Sequence, residues 1–352
     1  MRLRLSILIK LIFISVSSKT YSDTLLTFPN KNAANEIIST LYTGKKSIKM
    51  LIYRLENKEI IDAIIDIQKH GVKVEIVISN AEKGKSFTYD QFYKKTFEKL
   101  SKNQKVYNKL KELGVKIIYS NQDDFFSYHP KLVIIDDHTA ILGTSNFNDN
   151  GFVNARNFMI ITHDKSLIKE LDTIFIGDFT KNYVNYKEKQ NTSIALSPGN
   201  YLKQIYKIID SAQKEIDIYQ TMMGHIEICN KIAKKADSGL KINILTSKRN
   251  MHNSKLKEVQ YCESKLRHLA NVEWKYLNDP YYIHAKVIIA DYSSQKPTCF
   301  VGSSLFWSEG FDKNRELGIL THNNKIIQQI HQTFIKDFDL GVYNYKGIIN
   351  LD

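Results

Sequence analysis

The stretches YHPKLVIID (residues 128–136) and IHAKVIIAD (residues 283–291) share one pattern: His, any residue, Lys, four residues and Asp. Each is followed by an apolar run and a turn of small residues, ILGTSNFN at 141–148 and FVGSSLFW at 300–307. With 10 His, 50 Lys and Arg, and 37 Asp and Glu in 352 residues, chance predicts about 0.15 matches to a basic and acidic version of this pattern. Two matches ahead of the same kind of turn therefore indicate a repeated functional unit.

The repeat extends beyond the motifs. Residues 143–161 align with residues 302–320 without a gap. Upstream of each motif, a strand pattern, an amphipathic helix pattern ending in Gly and a second strand pattern follow in the same order, at 47–79 and at 215–247. Alternating strands and helices favour a mainly parallel sheet with helical cover. The sequence thus predicts an α/β protein made of two duplicated α/β/α halves about a pseudo-two-fold axis.

We place the halves at 23–185 and 186–352, with the polar stretch near 180–200 as their junction. Residues 1–22 begin with two Arg, continue with an apolar run that Lys10 interrupts, and end in small residues, which is typical of a secretory signal peptide. A short membrane anchor and a first core helix are the alternatives. No later stretch has the length and apolarity of a membrane span. We expect a secreted or periplasmic protein, with a cytoplasmic or peripheral membrane location as the alternative.

Charge narrows the class of partner. The formal net charge of +13 favours an anionic partner such as a phospholipid, a nucleic acid or a phosphate ester. Part of this positive charge is equally well explained by a generally high Lys content, without any anionic partner. Two Lys-rich helical inserts, at 89–114 and 253–272, precede the motifs. They are either solvated amphipathic helices or a basic rim that faces an anionic surface.

The three cysteines, Cys229, Cys262 and Cys299, are odd in number and have no C-x-x-C spacing. Neither a zinc cluster nor a disulfide framework is therefore indicated. Cys299 lies in an apolar run and is expected to be a buried small residue.

The His-x-Lys pairs suggest the ligand. On a strand, residues i and i+2 point to the same face about 7 Å apart, so His129 and Lys131 project together, as do His284 and Lys286. Burying an ammonium group is costly unless it meets an anion. Either the protein or a ligand could supply this anion, and a phosphate group is a candidate partner of both pairs.

These residues resemble the signature of the phospholipase D superfamily, His-x-Lys-x4-Asp followed by Gly-Ser/Gly-x-Asn, which occurs twice in one chain or once in each subunit of a dimer. The resemblance covers nearly the whole chain after residue 22. It implies a phosphodiesterase that uses no metal and no cofactor, and with both motifs in one chain we expect a monomer.

The resemblance implies first the hydrolysis of phospholipids at a membrane surface to phosphatidic acid and a free head group. An endonuclease that cleaves DNA or RNA and a cardiolipin synthase-like phosphatidyl transferase are the alternatives. Cleavage through a phosphohistidine needs one neutral imidazole to attack phosphorus and one protonated imidazole to protonate the leaving oxygen. Two His on opposite sides of one phosphate, with Lys from both halves to stabilise its charge, meet this need.

The turns after the motifs differ between the halves. Asn146 occupies the position of the superfamily's phosphate-binding Asn, but the aligned residue is Leu305, which cannot donate a hydrogen bond. We expect the small turn residues to bind the substrate: Thr144, Ser145, Ser303 and Ser304.

The aligned residues Asn157 and Glu316 suggest different roles for the two His. Many superfamily members have a carboxylate at this position that orients the catalytic His. A carboxylate partner favours imidazolium, whereas an amide leaves the ring unprotonated. We therefore expect His129, paired with Asn157, to be the nucleophile and His284, paired with Glu316, to be the general acid.

Asp136 and Asp291 end the two motifs. We expect both to be structural and to bond nearby backbone at the strand ends, with a direct catalytic role as the alternative.

Overall fold

The protein is described here by a computed structural model that covers residues 22–80, 91–121, 123–184, 186–187, 189, 191–248 and 253–344. The expected signal segment lies outside the described residues, apart from its last residue. Among the described residues, no helix has both the length and the apolar composition needed to cross a bilayer.

The N-terminal half forms the strands and helices that the local patterns predict. Its helix over 58–69 buries an Ile-rich face, begins at the N-cap Asn57 and is followed by Gly71 with φ of 86°. Its strands are β1 (Thr24–Phe28), β2 (Ser47–Ile52), β3 (Lys73–Ile78), β4 (Lys116–Tyr119), β5 (Lys131–Ile135), β6 (Thr139–Gly143) and β7 (Ala155–Thr162). Its helices are α1 (Ala33–Leu41), α2 (Lys58–Lys69), α3 (Gln91–Glu112), α4 (Asp149–Val153) and α5 (Lys165–Thr180).

The C-terminal half repeats this order. Its strands are β8 (Ile194–Ser197), β9 (Glu215–Tyr219), β10 (Lys241–Thr246), β11 (Val272–Tyr276), β12 (Tyr282–Ile283), β13 (Val287–Ala290), β14 (Thr298–Gly302) and β15 (Glu316–Thr321). Its helices are α6 (Tyr201–Ser211), α7 (Ile226–Asp237), α8 (Asn253–Leu266), α9 (Ser308–Asp312) and α10 (Asn324–Leu340). The segment that joins the halves runs from the end of α5 to the start of β8.

Strand order confirms the duplication. The first sheet runs β1-β7-β6-β5-β2-β3-β4, and the second runs β8-β15-β14-β13-β9-β10-β11. Each strand of one sheet thus has a counterpart at the same place in the other. In addition, β12 of the C-terminal half pairs with β7 of the N-terminal half and so links the halves.

The sheets are mixed, so the expectation of mainly parallel sheets was wrong in this detail. Only β2-β3-β4 and β9-β10-β11 are parallel, and the other neighbours within these two strand orders are antiparallel. The strand–helix–strand pattern holds only for those first strands. Residues 136–138 join β5 to β6, and a connection of this length permits only an antiparallel pair.

Three apolar clusters define the layers. One cluster lies between the two sheets and contains Leu171 and Ile174 from α5 and Ile330 and Phe334 from α10. The other two clusters lie under the outer helices of each half. The halves therefore share a central core, and their two motif strands belong to sheets that face it.

A disulfide joins Cys229 of α7 to Cys262 of α8, with a Cα–Cα distance of 5.5 Å. The spacing of the cysteines did not indicate a disulfide framework, and this bridge was missed because two residues 33 apart in sequence meet only when α7 and α8 pack together. Cys299 is fully buried on β14, as predicted.

Candidate active site

The two catalytic His candidates lie where the halves meet. His129 precedes β5 and His284 precedes β13, rather than lying within the strands as expected. The His129 amide donates to the Arg315 carbonyl at 2.8 Å, and the His284 amide donates to the Arg156 carbonyl at 3.1 Å. Each motif is thus anchored to the backbone of the other half.

The side-chain partners of the two His are exchanged relative to the prediction. His129 Nδ1 lies 2.9 Å from Glu316 Oε2, and His284 Nδ1 lies 2.8 Å from Asn157 Oδ1. The predicted pairs, each formed within one half, were wrong. The physical reason is the crossing at the junction, where the start of β7 or β15 reaches the motif of the opposite half.

Thr144 and Ser303 hold these partners in place. The Thr144 hydroxyl donates to Asn157 Oδ1 at 2.7 Å, and the Ser303 hydroxyl donates to Glu316 Oε2 at 2.5 Å. Each hydroxyl also accepts a backbone amide, from Phe158 or Leu317. These two hydroxyls thus position the partners of the His rings, and the substrate-binding role expected of Thr144 and Ser303 stays a prediction.

Ser145 and Ser304 are fully buried as well. Their hydroxyls donate to the carbonyls of Asn146 and Leu305, at 3.0 and 2.9 Å. Both hydroxyl donors are thus already bonded inside their own turns, and the substrate-binding role expected of Ser145 and Ser304 stays a prediction.

Glu316 is held on both carboxylate oxygens. Asn314 Nδ2 donates to Oε1 at 3.2 Å, while His129 and Ser303 share Oε2. Burial acts to raise the pKa of Glu316, but the His129 ring, Lys131 and Ser303 together lower it below its ordinary value. Glu316 is therefore an ionised acceptor, which fixes the proton of His129 on Nδ1.

His129 is a neutral imidazole at pH 7. Burial lowers its pKa to about 4; Glu316 opposes this shift, and Lys131 and Lys286 add to it. With Nδ1–H bonded to Glu316, the unshared electron pair is on Nε2. Because Lys131 and Lys286 both lower the pKa of this one ring, the Lys residues of the two halves lie around a single site.

Lys131 is a buried cation without a carboxylate partner. Its side chain is 1% exposed, and Nζ donates to the His129 carbonyl at 2.7 Å and lies 5.0 Å from the centre of the Tyr53 ring. Burial lowers its pKa to about 7. Among the described residues no carboxylate oxygen lies within 4 Å of Nζ, so an anionic ligand would stabilise this ammonium. Lys286 is equally buried and donates to the His284 carbonyl at 2.5 Å.

Asn146 and Leu305 differ in what they offer a ligand. The Asn146 side chain is 9% exposed, and its Oδ1 has no hydrogen-bond partner among the described residues. Leu305 is partly exposed at the aligned position of the other turn. A polar group is thus available on the Asn146 side and missing on the Leu305 side.

Asp136 and Asp291 bond backbone away from the imidazoles. Asp136 accepts the amides of Lys45, Lys46 and Ser47 at 2.7 to 2.8 Å. Asp291 accepts the amides of Gln213, Lys214 and Glu215 in the same way. Both have positive φ, 51° and 55°, which Asp tolerates better than most residues. These contacts fit the structural role expected of both.

The model of the family described as "Cardiolipin synthase, PLD-like domain" matches the chain twice, over residues 37–179 and 205–338. The chain belongs to this phospholipase D-like family.

Solved structures show the same fold. The phosphatidylserine synthase of Haemophilus influenzae is 13% identical with a TM-score of 0.66, and the match covers 90% of this chain and 86% of that one. The polyphosphate kinase of Porphyromonas gingivalis is 14% identical with a TM-score of 0.65, over 93% of this chain. This chain spans only 53% of that kinase. No curated protein sequence matches the chain significantly.

The phospholipase D-like motifs did not reveal several residues of the site. Tyr53 lies edge-on to His129, with ring centres 4.5 Å apart, but no motif marks it. Arg156 and Arg315 occupy aligned positions directly before Asn157 and Glu316. That alignment was the signal that could have found them.

Proposed function

We propose that this phospholipase D-like protein cleaves phosphodiesters through a phosphohistidine and that its substrates are phospholipids. The observation that carries the proposal is the crossed pair of imidazoles, each held through Nδ1 by the opposite half and each next to a buried Lys. With Nδ1 used to position each ring, Nε2 is the nitrogen that each His would present to phosphorus or to the leaving oxygen.

His129 is the nucleophile in this proposal, although its partner is Glu316 rather than Asn157. Its low pKa keeps the ring neutral before the reaction. When Nε2 attacks phosphorus the ring becomes positively charged, and the adjacent Glu316 carboxylate then stabilises it. The predicted role stays, but its physical reason changes.

His284 is the general acid. In the first step the His129 Nε2–P bond forms and the P–O bond to the head group breaks, and the leaving oxygen takes a proton from His284. In the second step His284 takes a proton from water, the water oxygen bonds to phosphorus and the N–P bond breaks. Lys131 and Lys286 neutralise the phosphoryl oxygens in both steps.

A phospholipid substrate is supported by the family description and by the name of the H. influenzae structure, both of which refer to phospholipid synthesis. The same description favours phosphatidyl transfer as the second candidate function, in which an alcohol replaces water in the second step. The basic net charge suits an anionic membrane surface.

We also propose that the protein acts in an oxidising compartment, either secreted or periplasmic. The Cys229–Cys262 disulfide supports this location, because disulfides persist where thiols are not kept reduced. One chain supplies both halves of the site, which supports a monomer.

The test is to incubate the purified protein with labelled phosphatidylcholine, with the same lipid plus glycerol, and with single-stranded and duplex DNA. Free choline with phosphatidic acid supports hydrolysis, and phosphatidylglycerol supports transfer. DNA fragments without lipid products would overturn the lipid substrate. His129→Asn is the control and must abolish the product. If the wild-type protein cleaves none of these phosphodiesters, the proposed function is wrong.

A further inference from the structure

Two buried ion pairs connect the halves next to the site. Arg315 of the C-terminal half donates through Nε and Nη2 to Asp178 on α5, at 3.1 and 2.5 Å. Arg156 of the N-terminal half donates through Nε and Nη2 to Asp337 on α10, at 2.5 and 2.8 Å. All four side chains are at most 8% exposed. The two pairs occupy aligned positions and cross between the halves in opposite directions.

Tyrosine hydroxyls complete both pairs. Tyr128 donates to Asp178 at 2.9 Å. Tyr219 and Tyr281 donate to Asp337 at 2.6 and 2.7 Å. Each Asp therefore has its charge satisfied, and each guanidinium is fixed in a two-bond fork.

The same Arg residues hold the catalytic His through their backbone. The Arg315 carbonyl accepts the His129 amide, and the Arg156 carbonyl accepts the His284 amide. The residue after each Arg, Glu316 or Asn157, bonds Nδ1 of the same His. Each His is thus held by main chain and side chain of one dipeptide, and the Arg side chain ties that dipeptide to a helix of the opposite half.

We propose that Arg315–Asp178 and Arg156–Asp337 are separate positioning pairs for the reaction proposed above, on which this inference rests. Arg315–Asp178 sets the nucleophile His129, and Arg156–Asp337 sets the acid His284. A small displacement of a reacting group lowers the rate strongly. Loss of Arg315–Asp178 should therefore slow the attack of His129 on phosphorus, and loss of Arg156–Asp337 should slow the protonation of the leaving oxygen by His284.

The test compares phosphatidylcholine with bis(p-nitrophenyl) phosphate, whose nitrophenolate leaves without a proton. Arg315→Lys and Arg156→Lys keep the charge but lose the two-bond fork. We expect Arg315→Lys to lower the first-turnover burst of nitrophenolate and kcat on the lipid alike, by about 10- to 100-fold, with little change in KM. We expect Arg156→Lys to lower kcat on the lipid by a similar factor and to leave the burst within about threefold of wild type.

Milder variants and a matched control keep the test decisive if the Lys variants fold poorly. Tyr128→Phe and Tyr281→Phe each remove one hydrogen bond from Asp178 or Asp337 and should show the same split with smaller factors. Asp172 also lies on α5 and pairs with Lys49 on β2. Asp172→Asn breaks that pair and should leave both rates unchanged.

Equal losses on both substrates in both Arg variants would overturn the inference and leave the pairs a purely structural role. A wild-type protein that releases no nitrophenolate would instead overturn the proposed function, and the inference with it.

Discussion

The two halves share one strand order but present different groups to the site. Bridges from Leu55 to Phe147 and from Met223 to Phe306 show that Tyr53 and Thr221 occupy equivalent positions, each two residues before its bridge. The N-terminal half has an aromatic ring there, against His129 and Lys131. The C-terminal half has a buried Thr hydroxyl without a hydrogen-bond partner among the described residues. The frame is duplicated, whereas the surroundings of each imidazole are not.

A pair of equivalent strand–helix contacts away from the site shows that residue types can differ between the halves at the same positions. Lys49 and Asp217 are the third residues of β2 and β9. Lys49 pairs with Asp172 at 2.5 Å, and Asp217 pairs with His331 at 3.0 Å. Because Asp172 and His331 also occupy equivalent positions, the contact is kept while its acidic residue lies on the helix in one half and on the strand in the other. The fold thus fixes where the two residues lie but not which residue types occupy those positions. Differences in residue type beside the imidazoles can therefore be interpreted as differences in role.

The strongest test of this asymmetry is which of the two imidazoles forms the covalent bond to phosphorus. We expect this bond on His129, because its ring is neutral before the reaction. We also expect His129→Asn to lower turnover on the order of 10⁴-fold or more. His284→Asn should still form the phosphoenzyme with an activated substrate and then accumulate it, because the base of the second step is gone. Because phosphohistidine is labile in acid and stable in alkali, peptide mapping after an alkaline quench, without an acid step, locates the modification. Phosphate on His284 would reverse the roles.

The disulfide is a second difference between the halves, since the structure shows one in the C-terminal half only, within the described residues. Replacing Cys229 and Cys262 by Ser should lower the free energy of unfolding by about 3 to 4 kcal/mol, as expected for a closed loop of this length. Urea denaturation with and without dithiothreitol measures the effect. Reductant should not affect the double variant, and Cys299→Ala serves as the control for a buried thiol outside the bridge. Equal stability with and without reductant in the wild type would contradict the expectation.

The pH profile tests the carboxylate that only His129 has. His129, with a pKa of about 4, is neutral above that pH, so activity should fall as pH decreases through 4. Lys131, with a pKa of about 7, is charged below that pH, so kcat/KM should fall as pH rises through 7. Glu316 raises both pKa values, and Glu316→Gln should therefore move both limbs to lower pH. We would measure kcat/KM from pH 3 to 9, with Asp172→Asn as the control. An unchanged alkaline limb in Glu316→Gln would show that Glu316 does not raise the pKa of Lys131.

The smallest expected effect concerns the turns. Leu305→Asn gives the C-terminal half the donor that Asn146 provides in the other, and one added hydrogen bond of about 1 kcal/mol lowers KM about fivefold. Asn146→Leu should have the opposite and larger effect, because it leaves a phosphoryl oxygen without a donor. Initial rates across substrate concentration measure both. Leu305→Ala is the control for side-chain size, and a gain in that variant would show that bulk, not hydrogen bonding, is limiting.

The helices and strands that carry the site, and its two His-Lys pairs, could be predicted from local sequence. The helices over 58–69 and 226–237 and the strands beside them have clear periodicity and end at Gly71 and Gly239, whose φ values of 86° and 98° favour glycine. The His-Lys pairs are identified by spacing alone. The hairpins that make the sheets mixed were not predicted, because the periodicity of a strand does not show in which direction its neighbour runs.

The amino-acid sequence by itself determined that this chain is a duplicated α/β protein with a His-Lys pair in each half, because periodicity and motif spacing act between near neighbours. Tertiary structure alone decided that His129 meets Glu316, 187 residues away, and that His284 meets Asn157, 127 residues away. It also decided the disulfide and the crossed Arg–Asp pairs. These contacts depend on which edge of one half faces the other, and that is set by the burial of the shared core rather than by any pattern along the chain.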